Sequence, residues 1–164
     1  MEVPVSKYRR LFPGNEVRLM HAYLVTCTGV DKDEEGNITA VHCTYDPETR
    51  GGNAPDGRKV RGTIHWVAAK TALSCEVRLF ENIVDEEKGV YDDETGELNL
   101  NPNSLQILED CKVEPSLKGA QAPESFQFVR TGFFCVDSRL NTEEKPVFNR
   151  IVSLKSSFKL PAAQ

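Results

Sequence analysis

An all-β fold, built as a barrel or a sandwich, is what this sequence predicts. Three observations carry the prediction. Short runs rich in β-branched and aromatic residues recur along the chain. Turn signals, in the form of Gly, Pro, Asn and Asp clusters, separate them. The few helical candidates are short: Ala68–Leu73 could make one turn, and Pro115-Ser116-Leu117 could open a short helix.

The elements follow in order. Residues 16–30, EVRLMHAYLVTCTGV, alternate and then become continuously apolar, as a strand entering a core does. Asp33-Glu34-Glu35-Gly36-Asn37 reads as a turn and Ile38–Tyr45 as the returning strand, which makes a hairpin. Asp46-Pro47, Gly51-Gly52, Pro55 and Asp56-Gly57 then mark a polar loop of about a dozen residues, long for a compact domain. Val60–Val67 reads as the next strand, with Lys59 and Arg61 as a small basic pair on one face. Glu76–Val84 is a further strand with Val77, Leu79 and Ile83 inward, and Leu105–Val113 resumes the apolar alternation. Phe126–Val136 reads as a hairpin turning near Thr131-Gly132, and Pro146–Leu154 as the last strand.

A chain of 164 residues suffices for one or two small domains with a real core. No apolar run approaches membrane-spanning length, and no signal-peptide pattern opens the chain, so a cytoplasmic protein with no membrane partner is expected. The five cysteines are odd in number and form no C-x-x-C pair. They read as small buried apolar thiols rather than as a metal site or a disulfide framework, which fits a reducing compartment. His21, His42 and His65 are far apart, with no metal-ligand spacing. Asp92-Asp93-Glu94 lacks the spaced ligands and turn glycine of a calcium loop. No metal site is expected.

Charge is unevenly spread. The net charge is −5, yet residues 85–97 alone hold seven acidic residues and one lysine. That run reads as a solvated loop or hairpin, and the rest of the chain is close to neutral. Lys7, Arg9, Arg10 and Arg18 concentrate positive charge around Tyr8. A basic cluster with an aromatic residue suits a phosphate chain and a stacked base; an ordinary basic surface is the other reading. No catalytic constellation is present: there is no G-x-S-x-G, no phosphate-cradling Gly-rich loop before a helix, and no H-E-x-x-H.

Several stretches in fixed order point further. TYDP at 44–47 and DGRKVRGTIHWV at 56–67 resemble the C-terminal anticodon-binding region of the glutaminyl-tRNA synthetases. So do EVRL at 16–19, GNI at 36–38, EVRLF at 76–80, EPSL at 114–117, FQF at 126–128 and EKPVFNR at 144–150. The likeness covers roughly residues 6–155, and an ordered series of matches is more specific than any single motif. It implies a ribosomal-protein-L25-like β-barrel fold. Residues 1–116 match the distal anticodon-binding barrel, and residues 117–164 the C-terminal part of the proximal one. The family's catalytic core, with its ATP-binding signatures, and the first half of the proximal barrel are not in this sequence. The chain is therefore read as a piece of a longer enzyme. Its strands at 125–136 and 146–154 are expected to lack partners and to expose edges or apolar faces.

The resemblance further implies tRNA selection without bond chemistry. The expected partners are the anticodon loop of tRNA(Gln) and the catalytic core of the parent ligase. ATP with Mg would serve that parent enzyme, with no cofactor in this part. The family's anticodon-gripping positions fall on Lys7, Tyr8, Arg9 and Arg10, on Arg18, and on Gln127 and Arg130. Gln127 and Arg130 straddle Phe128, whose ring is read either as part of the grip or as core. The sequence departs from the family at Met20, where a second Arg is common, and at Lys7, where the bacterial pattern has Gln. A glutamyl-tRNA synthetase of the related type is the nearest alternative. A standalone L25-like rRNA-binding barrel and a protein-interaction module are the others.

Overall fold

The computed structural model describes residues 10–51, 53–85 and 87–154. Among the described residues the protein is all-β apart from two 3-10 turns, Pro47–Thr49 and Pro115–Leu117. It divides into two compact units, one ending at Trp66 and the other starting at Val67.

The first unit holds one sheet. Strands β1 (Glu16–Leu19), β2 (Leu24–Lys32), β3 (Ile38–Asp46) and β4 (Thr63–Ile64) lie in the order β3-β2-β1-β4. The β2–β3 hairpin is the one expected. Asp33 closes it, its carboxylate accepting from the Asn37 and Glu35 backbone N–H groups at 2.7 and 3.1 Å. Those donors, Asn37 foremost, hold the Asp33 carboxyl below its ordinary value. Gly36 takes φ +83°, a conformation an L side chain resists. Val17, Leu24 and Cys27 are the unit's most buried strand residues, each no more than 1% exposed. Thr49 is buried beside them, and its hydroxyl accepts the Leu24 N–H at 2.9 Å while donating to the Asp46 carbonyl at 2.7 Å. A hydroxyl satisfied on both sides makes its burial affordable.

The expected strand over Val60–Val67 contracts to the two residues of β4. Gly62 sits at φ +113°, outside strand geometry, and β4 meets β1 in parallel only through Arg18–Thr63 and Leu19–Ile64. Lys59 and Arg61 therefore lie in irregular chain rather than on one strand face.

The second unit holds a five-stranded sheet ordered β6-β5-β9-β8-β7. Its strands are β5 (Leu73–Phe80), β6 (Leu105–Val113), β7 (Ser125–Phe128), β8 (Gly132–Val136) and β9 (Val147–Ser153). The sheet draws β5 and β6 from before residue 116 and the other three strands from after it. Phe134, Phe148, Val136, Val77, Cys75 and Val113 are its core, with Phe126 and Phe128 packed on them. The Phe128 ring stacks on Phe134 at 4.4 Å and meets Phe148 edge-on at 5.3 Å, so it is core.

Two expectations change here. The strands at 125–136 and 146–154 are not left without partners: β8 lies between β7 and β9, and β9 between β8 and β5. The open side of β5 accepts β9 in parallel through Glu76–Val147, Val77–Phe148 and Arg78–Asn149. A parallel pairing needs a long crossover, which local patterning does not reveal. Apolar outer-face groups are nonetheless exposed, Phe133, Ile151 and Val152 among them. The second change is of phase. Leu105 and Ile107 face outward and Leu108 packs inward, across a register shift beside Cys75 and Val77 where Asp110 takes φ 54°. Ile83, expected inward, is 69% exposed.

Candidate nucleic-acid interface

The β7–β8 hairpin carries two of the expected contact residues. Strict alternation along β7 sends Phe126 and Phe128 into the core and leaves Gln127 exposed on the opposite face. Gln127 pairs across the ladder with Phe133, 41% exposed, which in turn pairs with the exposed Val152. A flat apolar surface thus flanks an amide that can both donate and accept. The hairpin closes through the Thr131 N–H to the Phe128 carbonyl at 2.8 Å, which leaves Val129, Arg130 and Thr131 as the loop. Arg130 sits at its tip with φ 67°, exposed. Arg130, Thr131, Ser153 and Leu154 line an open cleft of about 400 Å³.

The first unit carries Arg18, half-buried on β1. Its Nη2 donates to Asn53 Oδ1 at 2.8 Å. Its Nε is buried with no hydrogen-bond partner among the described residues. The guanidinium is thereby tied to the long loop between β3 and β4, a contact spanning 35 residues that no local pattern announces. Arg10 is exposed, and its carbonyl accepts from Asn15 Nδ2 at 2.9 Å. Lys7, Tyr8 and Arg9 lie outside the described residues.

Arg58 has a different role from its basic neighbours. Its fork donates to Glu16 through Nε and Nη2, both at 3.0 Å, and to Asp46 at 2.5 Å and Asp56 at 2.6 Å. These acceptors, Glu16 first, raise its pKa above the ordinary arginine value, and the same contacts hold the Asp46 and Asp56 carboxyls below theirs. Arg58 is thus engaged in pinning the loop, while Lys59 and Arg61 remain exposed beside it. Trp66 pins the β1–β2 turn: its indole N–H donates to the Met20 carbonyl at 3.0 Å, and the Met20 N–H to the Ile64 carbonyl at 3.0 Å. That turn presents His21, exposed and at φ 58°. Sequence reasoning gave no role to Asn53 or to the Trp66 indole, because both partners are distant in the chain.

Among the described residues, no group of three or more His, Cys, Asp or Glu side chains is placed to hold a metal ion. No helix among them is long and apolar enough to cross a membrane.

Two family models match, both described as tRNA synthetases class I (E and Q), anti-codon binding domain. One covers residues 3–46 and the other residues 63–137. Among curated relatives, the glutamine–tRNA ligase of Clostridium kluyveri is 51% identical over 98% of this chain and 29% of its own length. That of Clostridioides difficile is 54% identical over 97% of this chain and 29% of its own length. That of Pseudomonas putida is 45% identical over 96% of this chain and 28% of its own length. The chain therefore spans less than a third of the length of these relatives.

Proposed function

Because the chain belongs to the anticodon-binding region of the class I (E and Q) tRNA synthetases, we propose that it selects tRNA for a glutamine–tRNA ligase. The relatives' names favour glutamine over glutamate. Activation of glutamine with ATP and Mg, and its transfer to tRNA, would belong to a catalytic core joined to this region. The natural setting is the cytoplasm.

The contact set we propose is Lys7, Tyr8, Arg9, Arg10, Arg18, Gln127 and Arg130. The observation that carries the reading is the β7–β8 hairpin. Core packing of Phe126 and Phe128 fixes β7, which turns Gln127 to solvent, and Arg130 stands three residues on at the loop tip. Single-stranded RNA is read by splayed bases, stacked on flat groups and bonded at their edges. The middle base of a glutamine anticodon is uridine, with two carbonyl acceptors and one imino donor. An Arg fork and a Gln amide match that pattern, whereas cytidine presents an amino donor to the arginine. Discrimination of about 1–3 kcal/mol per good base contact is the expected scale.

The test is binding of this chain to tRNA(Gln) and to the same tRNA with cytidine at the middle anticodon base, by fluorescence anisotropy. Affinity should fall steeply with salt as phosphate neutralisation releases counterions. Gln127→Ala and Arg130→Ala should each weaken binding to the uridine tRNA and lose less on the cytidine tRNA. Equal losses on both tRNAs would mean that these two residues do not read that base.

A further inference from the structure

Four of the five cysteines fall into two directly opposed cross-strand pairs, one in each unit. Cys27 faces Cys43 across β2–β3, and Cys75 faces Cys111 across β5–β6. No spacing in the sequence announces either pair.

The two pairs differ in geometry. The Cys27 N–H donates to the Asn15 carbonyl at 3.0 Å, and the Cys27 carbonyl accepts from the Gly14 N–H at 2.8 Å. Both backbone groups of Cys27 thus point away from β3. In an antiparallel ladder that makes Cys27–Cys43 a non-hydrogen-bonded pair, the narrow kind, with Cα atoms about 4.5 Å apart and side chains closest. A disulfide requires Cα atoms about 4.4–6.8 Å apart and Cβ atoms about 3.5–4.5 Å apart, which a narrow pair meets with little movement. The Cys75 pair has the opposite phase. The Glu76 N–H donates to the Pro146 carbonyl on the β9 side at 2.9 Å, so the backbone of Cys75 turns toward β6. That is the wide kind of pair, and the phase alone separates the two, since a register shift follows each of them at once.

Access separates them as well. Cys43 lies on the edge strand β3 and is exposed, a departure from the expectation that all five thiols are buried. Cys27 behind it is 1% exposed. The Cys27 thiol donates to the Gly29 carbonyl at 3.5 Å, and desolvation foremost, with the neighbouring Cys27, raises the Cys43 pKa. In the other pair Cys75 is buried and Cys111 only half-buried, and burial pushes the Cys75 thiol up to about 11.

We propose that Cys27 and Cys43 form a reversible thiol–disulfide site, with Cys43 as the outer residue that reacts first and Cys27 as the resolving one. The oxidant class is a low-molecular-weight disulfide such as glutathione disulfide. The Cys43 thiolate attacks one of its sulfurs and expels one small thiolate, which takes up the proton that Cys43 gave. The Cys27 thiolate then attacks the Cys43 sulfur of the mixed disulfide and expels the second small thiol, protonated in the same way. Two protein thiols become one disulfide, and one small disulfide becomes two small thiols. The bridge staples β3, which pairs among the described residues with β2 alone, to that strand.

The experiment treats the whole chain with excess glutathione disulfide and reads it by intact mass, by non-reducing peptide mapping and by thermal melting. The wild type should end two hydrogens lighter, with Cys27 linked to Cys43. Its melting temperature should rise by the order of several degrees, and dithiothreitol should reverse both changes. Cys27→Ala should stop at a persistent glutathione adduct on Cys43. Cys43→Ser, a change at an exposed position that keeps the fold, should show neither the bridge nor the melting shift. The proposal is overturned by a lasting glutathione adduct on wild-type Cys43, by a bridge between any other two cysteines, or by a bridge that survives in Cys43→Ser.

Discussion

Two glycine-to-alanine substitutions, chemically identical, should move stability in opposite directions. Gly132 opens β8 immediately after the Arg130 loop, opposite Ser153. A Cβ built there stands 2.7 Å from the Val152 carbonyl oxygen and 3.4 Å from Phe134 Cε2 and Ser153 Cα. The nearest atom is backbone of the neighbouring strand, so β8 and β9 must part by roughly 0.3–0.7 Å to restore contacts of 3.0–3.4 Å. Overpacking of this kind costs about 1–3 kcal/mol. Gly29, in β2, meets nothing within 4 Å of its added Cβ, and its φ is not in the left-handed range. There the gain is the lost freedom of the unfolded chain, about 0.4–1 kcal/mol. The two variants should therefore differ by at least about 1.4 kcal/mol. Urea titration measures both, with midpoints converted by linear extrapolation. Trp66, the single tryptophan, reports Gly29→Ala by fluorescence from the first unit, and far-UV circular dichroism reports Gly132→Ala. A Gly132→Ala protein within about 0.5 kcal/mol of wild type would refute the reading that this glycine exists to let two strands approach.

Two other outcomes are expected. Arg130 holds a left-handed backbone that costs an L residue about 1–2 kcal/mol, so Arg130→Gly should be at least as stable as wild type while its tRNA affinity drops to that of Arg130→Ala, measured by melting and anisotropy on the same samples. Glu76 is 4% exposed, and Lys145 and Arg78, each 2.7 Å from its carboxylate, hold its pKa below the ordinary value of 4.5. A carboxyl whose folded pKa is depressed stabilises the fold above the unfolded value and loses that contribution as pH falls through the folded one. Stability should therefore decline as pH drops below 4.5, and Glu76→Gln should be weaker at neutral pH with a shallower acid slope in urea titrations at several pH values.

Much of the candidate site was legible because it is local. Alternation in Phe126-Gln127-Phe128 fixes which side chain turns outward once the phenylalanines pack, and the hairpin turn lies where Thr131-Gly132 marked it, with Arg130 in the loop. The β2–β3 hairpin was legible for the same reason, since Asp33 and Gly36 dictate the turn through their own side chain and backbone. The ordered motifs carried the family.

Tertiary structure decided what no short window contains. It shortened the strand after the central loop to Thr63–Ile64, inserted β9 beside β5 in parallel, and turned Leu105 and Ile107 outward across a register shift. It engaged Arg58 with Glu16, 42 residues away, and Arg18 with Asn53. It also set Cys27 against Cys43 in the narrow phase of the ladder. The physical reason is common to these cases. Turns and alternation follow from the covalent preferences of a few adjacent residues. Strand order, register and ion pairing depend on which distant segments share a core, and so on contacts that exist only after the chain has closed on itself.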